Sequence, residues 1–142
     1  MVGRPIVTAS AVVVAATAAL GLADLVSSAV DGAVTVVSLV CFLVSLPVWI
    51  AAFLLVLARS TRGDDIAVAS WVFLAAGAAP APVRVRLLGL AGASVVVAGV
   101  TATVNPFAVL VPMLPLGLAA LWGARHGEFP LQRGVTVGGS SR

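Results

Sequence analysis

The chain has 142 residues, 61% of them hydrophobic and 9% charged, with a formal net charge of +3. Its mean hydropathy is +1.20 and its pI is near 11.2. A soluble domain carries about 25% charged residues, so a water-facing globular surface is excluded. The positive charge comes from arginines at the ends of apolar segments, without a basic aromatic surface, which argues against a nucleic-acid partner.

The length suits a single domain. Ala, Val, Gly, Arg and Pro are prominent, and Lys and Tyr are absent. GC-rich codons dominate the first group, which points to a bacterium of high GC content. The one cysteine, Cys41, lies in an apolar run and reads as a small packing residue.

The basic residues are Arg4, Arg59, Arg62, Arg84, Arg86, Arg125, Arg133 and Arg142. A helix rises 1.5 Å per residue, so crossing a hydrocarbon core about 30 Å thick takes about 20 residues. Arg4 and Asp24 are 20 positions apart, and Pro5 suits a helix start. The first span is therefore placed at about 6–28. A cleavable signal peptide ending near Gly21-Leu22-Ala23 is the rival account, but its apolar region would exceed the usual 7–15 residues. Asp24 and Asp31 fall at the outer interface in this scheme. At the bilayer centre a carboxylate would cost roughly 2.5–3.5 kcal/mol.

The second span lies within 33–58, longer than a crossing needs, with Pro47 as a kink candidate. The third is placed at 83–104. Asn105-Pro106 then reads as a tight outer turn, with Asn as N-cap and Pro opening the next helix. The fourth span covers 106–122 and is expected to be bent by Pro112 and Pro115, with Trp122 at its inner interface.

Segment 66–79 is a largely apolar stretch of 14 residues, about 21 Å as a helix and too short to cross comfortably. If it crossed, Arg84, Arg86, Arg125, Arg133 and Arg142 would move outside. Left non-spanning, it keeps every arginine on one side, as the positive-inside rule requires. It reads as a short helix lying in the inner interface or tucked under the bundle, capped by Asp64 and Asp65, with Trp71 and Phe73 able to enter the headgroup boundary. The expected fold is thus all-α: a polytopic membrane bundle of four transmembrane helices plus one interfacial helix over 1–127, followed by a disordered cytoplasmic tail over 128–142. Both termini are cytoplasmic.

Two constellations could recognise something. Ala11, Ala15, Ala19 and Ala23 recur every four residues, and Gly89, Gly92 and Gly99 mark the third span. Small residues at such spacing let backbones approach closely. They mark either a dimer seam or ordinary packing inside one bundle, and an alanine-rich chain favours the latter. The second constellation is the inner polar face: Arg59, Arg62, Asp64, Asp65, Arg84, Arg86, Arg125, His126 and Glu128. It has no nucleophile–base pair and no metal-ligand spacing. Its arginines serve as topology signals that could also contact anionic lipid headgroups or a partner. No acid or base lies deep in a proposed span, which argues against an ion-coupled transporter. A faint echo relates Leu46-Pro47 with Ala58-Arg59 to Leu114-Pro115 with Ala124-Arg125. It would make each half an in–out–in hairpin.

The stretches GDDIAVASWVFLAAGAAPAPVR (63–84) and VLVPMLPLGLAALWGARHGEFP (109–130) resemble segments of small uncharacterised four-helix integral membrane proteins of actinobacteria. The resemblance implies a four-span bacterial membrane protein and brings no activity, cofactor or catalytic residue. The expected function is non-enzymatic. The chain would be an accessory subunit of a larger membrane complex, or a small homo-oligomer, in contact with the lipid bilayer and with no cofactor. The alternative is a small transporter or permease component with proline-broken helices. A lipid-directed enzyme built on Arg125, His126 and Glu128 ranks third. Reporter fusions after Arg62, Val30 and Gly127 are expected to read cytoplasmic, external and cytoplasmic; a cytoplasmic reading at Val30 overturns the topology.

Overall fold

The computed structural model describes residues 4–74 and 79–129. Its α-helices are α1 (Arg4–Val26), α2 (Asp31–Ser60), α3 (Val68–Val72), α4 (Ala81–Thr101) and α5 (Met113–His126), with 3₁₀ stretches at Ser28–Val30 and Pro106–Leu110. Among the described residues, four helical segments are long and apolar enough to cross a membrane: Pro5–Val26, Ser28–Ser60, Ala81–Thr101 and Pro106–His126. The fold is all-α, a multi-pass membrane bundle.

Local chemistry sets the boundaries. Ser27 ends α1, and its side chain accepts a hydrogen bond from Ala29 N as the cap of the following 3₁₀ turn. At the other end of α2, Gly63 takes a left-handed φ of 101°, a conformation glycine adopts without steric cost. Its N–H and that of Arg62 fold back onto the carbonyls of Ser60 and Arg59. Pro47 lies inside α2 without ending it. The 30 residues of α2 amount to about 45 Å of helix, more than a hydrocarbon core requires.

The last span divides as its prolines demand. Asn105 accepts from Phe107 N and caps Pro106–Leu110, and α5 begins only after Pro112. Pro115 therefore sits in the first turn of α5, where a missing N–H costs little. Pro47 and Pro115 occupy different places in their helices, mid-helix and first turn, although Arg59 and Arg125 both stand in last turns.

Contacts at the ends fix the directions. A Cβ built on Gly21 meets the Thr101 side chain, while Ile6 and Val7 pack against the cluster of Leu87 and Val83. So α1 runs parallel to α4. Asn105 bonds Asp31 at the start of α2, and Arg59 at its end bonds the carbonyl of Ala124. So α2 runs parallel to the last span. The main neighbours are α1 with α4 and α2 with α5, with lesser α4–α5, α1–α2 and α1–α5 contacts, giving the ring order α1, α4, α5, α2 with α1 and α5 also touching across it. Pro106–Leu110 lies against both α2 and α4.

The buried faces repeat every seven residues. They carry Ser10, Thr17 and Asp24 on α1, Ser38, Ser45 and Ala52 on α2, and Leu87, Ser94 and Thr101 on α4. A seven-residue repeat keeps one stripe against its neighbours along the whole helix. Most of these hydroxyls bond a carbonyl of their own helix: Thr17 to Val13 at 2.8 Å, Ser45 to Phe42 at 2.6 Å, Ser94 to Ala91 at 2.7 Å and Thr101 to Val97 at 2.9 Å. They fill the seam as small, internally satisfied groups.

Segment 66–79 supplies one short helix, part of which packs under α5. Among the segment's described residues Val68–Val72 is helical; 75–78 lie outside the described residues. Trp71, Val72 and Leu74 are buried; only Phe73 of the expected headgroup pair is exposed. The reason is Gly123, which lets the α3 backbone touch α5: a Cβ there would collide with the Trp71 carbonyl. Trp71 then meets Trp49 edge to face, with centroids 6.2 Å apart. Trp49 itself donates from Nε1 to Met113 O at 3.0 Å, over Gly117, where a Cβ would stand 2.9 Å from that nitrogen. Replacing Gly123 by Ala should destabilise the protein by about 1–3 kcal/mol through overpacking against backbone. Gly32→Ala, with nothing within 4 Å of its Cβ position, should be close to neutral. Thermal unfolding in detergent, followed by tryptophan fluorescence, measures both.

Candidate functional site

Five of the sequence-predicted contact residues gather at one end of the bundle. Arg59 closes α2, Arg84 and Arg86 lie in the first turns of α4, Arg125 lies in the last turn of α5, and Arg62 follows α2. Arg133 and Arg142 lie outside the described residues, as does 130–142 of the expected tail.

Arg59 differs from the other four. Its Nε donates to Asp64 Oδ2 at 2.8 Å, its Nη1 donates to Ala124 O at 3.1 Å, and its guanidinium carbon stands 4.8 Å from the Phe129 ring centroid. It ties the end of α2 to α5 and to the chain beyond it. Arg62, Arg86 and Arg125 are exposed and Arg84 is half-buried. They remain available to headgroups or to another protein.

His126 stacks on Trp122 with centroids 5.4 Å apart, and its Nδ1 is buried without a hydrogen-bond partner among the described residues. Glu128 is exposed. Among the described residues no hydrogen bond joins this histidine to a nucleophile. Among the described residues no group of three or more His, Cys, Asp or Glu could hold a metal ion.

The predicted packing face lies elsewhere than inside the bundle. Ala15, Ala19 and Ala23 on α1 are exposed and Ala11 is half-buried. Gly89, Gly92 and Gly99 on α4 are exposed, and a Cβ on any of them would meet nothing within 4 Å. The favoured reading, packing within one bundle, is corrected here. The inward face of α1 is the one bearing Ser10, Val14, Thr17, Gly21 and Asp24, because Thr101 of α4 approaches Gly21 to within 2.5 Å of a built Cβ.

The end opposite the arginines holds a polar corner that the sequence reading left at the interface. Asn105 is 1% exposed. Its Nδ2 donates to Asp31 Oδ1 at 2.7 Å and to Thr35 Oγ1 at 2.9 Å. Asp24 is only 6% exposed, and its Oδ2 has no hydrogen-bond partner among the described residues. A small cavity of about 10 Å³, lined by Thr17, Gly21, Ser38, Thr101, Ala108 and Val111 among others, lies towards the same end. Ser38 Oγ, buried there, also lacks a partner. The signal that could have found these residues was the seven-residue spacing of Ser10, Thr17 and Asp24, and of Asp31, Ser38 and Ser45. The four-residue alanine spacing masked it.

Comparison of the chain with protein-family models, with curated proteins and with solved structures finds no match. The Arg59 knot can be tested directly. Lysine cannot reproduce a guanidinium that bonds Asp64 and Ala124 while lying over an aromatic ring. Arg59→Lys should therefore lower stability by about 1–3 kcal/mol, against less than about 0.5 kcal/mol for the exposed Arg125→Lys. Parallel thermal melts decide; equal losses in the two variants would refute the distinction.

Proposed function

We propose that the chain is a non-enzymatic protein of a bacterial cytoplasmic membrane, with both termini inside, that works by associating with a second copy or with a larger membrane complex. The observation that carries the proposal is the outward direction of the small-residue faces. α1 and α4 are neighbours, and each presents small residues away from its own bundle: Ala15, Ala19 and Ala23 on one, Gly89, Gly92 and Gly99 on the other. Exposed glycines are poor cover against lipid, since they leave backbone uncovered and add no apolar surface. Against another helix they allow close backbone contact. The arginine-bearing end supports the orientation by the positive-inside rule, and Arg62, Arg86 and Arg125 are exposed there for anionic headgroups or a partner.

The transporter reading gains little. The cavity is lined mainly by apolar side chains, and two of its hydroxyls, Thr17 and Thr101, bond carbonyls of their own helices. Pro47 leaves α2 continuous.

Cross-linking in native membranes tests the association. In a Cys41→Ala background, Gly92→Cys or Gly99→Cys should give a disulfide-linked dimer on mild oxidation if the partner is a second copy. Leu43→Cys, on an exposed face of α2, should not. For a different partner, replacing the same glycines by leucine should abolish co-purification in mild detergent. A monodisperse monomer with no companion and no cross-link would overturn the proposal.

A further inference from the structure

We propose that the corner around Asp24 is a binding site for a small monovalent cation, with the Asp24 carboxylate as its anchor. The case begins with how poorly the protein itself provides for this group. A buried carboxylate needs an opposite charge or donors of hydrogen bonds. Asp24 is 94% buried by its 6% exposure, and Oδ2 has no partner among the described residues. No basic residue occurs between Arg4 and Arg59 or between Arg86 and Arg125, so this end of the bundle carries no arginine.

Helix polarity makes the position less favourable still. Asp24 lies in the last turn of α1, where the macrodipole is negative. Because α1 and α4 run parallel, the C-terminal end of α4 arrives at the same level, with Thr101 seated on Gly21 one turn below Asp24. Two negative helix ends thus lie on the side of the bundle where Asp24 is buried. The same features suit a cation. Helix C-termini present carbonyl oxygens, and oxygen donors are what hard cations take. Broken or terminating helices hold sodium in this way in membrane proteins. Asp31, seven residues on, is the contrast. It is exposed, opens α2 where the dipole is positive, and receives the Asn105 amide at 2.7 Å. A single buried carboxylate matches a single positive charge, whereas a divalent ion would call for further acidic ligands.

The test uses the full chain in detergent or nanodiscs, with sodium chloride, potassium chloride and N-methylglucamine chloride compared at equal ionic strength and fixed pH. At concentrations well above Kd, sodium should raise the melting temperature over the bulky organic cation by roughly 3–8 °C, the shift growing with the logarithm of concentration. Asp24→Asn should abolish the shift, and Asp31→Asn should keep it. Identical melting in all salts overturns the site. So does a shift that survives in Asp24→Asn, or a melting temperature that follows pH alone, which would make the occupant a proton. If Asp24→Asn fails to fold, the wild-type chain still decides through the ²³Na resonance. Excess broadening that an added competing alkali cation relieves supports the site, and its absence overturns it.

Discussion

Helices immersed in hydrocarbon gain little by packing leucine against leucine, because lipid tails are as apolar as the side chains they would leave. What selects a helix's inward face is then how closely backbones can approach and which polar groups can be satisfied. The bundle obeys that constraint throughout. Leu43, Phe53, Leu54, Val96 and Val109 point outward. Ser10, Ser38, Ser45, Ser94, Ala52 and Ala98 point inward. The arrangement is the reverse of a soluble core, and it follows from the solvent.

Glycine positions convert the constraint into a particular architecture. Gly21 admits Thr101, Gly117 admits the Trp49 indole, and Gly123 admits the backbone at Trp71. The first sets α1 on α4, and the second sets α2 on α5. The third seats a short connecting segment under α5. Arg59 then closes that corner, because Asp64 and the Ala124 carbonyl come within reach of one guanidinium. A charged side chain that is topology signal by composition becomes a structural tie by position.

Span count and the gathering of the described arginines at one end were legible in the sequence, because both depend on length and charge along the chain. The break at Pro112 and the cap at Asn105 were legible for the same local reason. The inward faces were not. In an alanine-rich chain several spacings of small residues coexist, and the four-residue run Ala11, Ala15, Ala19 and Ala23 competes with the seven-residue run Ser10, Thr17 and Asp24. Which one faces inward depends on Thr101 meeting Gly21, a contact between residues 80 positions apart. The burial of Trp71 is hidden similarly, since it requires Gly123 on another helix.

Asp24 and Asp31 show how much the same chemistry can be changed by helix direction. Both occupy the end away from the arginines, and both are outer-interface carboxylates by sequence. Asp31 starts a helix, meets an amide and faces solvent, so its charge is provided for. Asp24 ends a helix, faces the interior and has no donor on Oδ2. The seven-residue repeat explains this difference: Asp24 continues the stripe of Ser10 and Thr17 and is carried inward with it. Serine and threonine on that stripe can bond carbonyls of their own helix, as Thr17 does, but a carboxylate cannot donate. Thr17 is thus satisfied within its own helix, while Asp24, one repeat further along the same stripe, is left as the position where the seam requires positive charge.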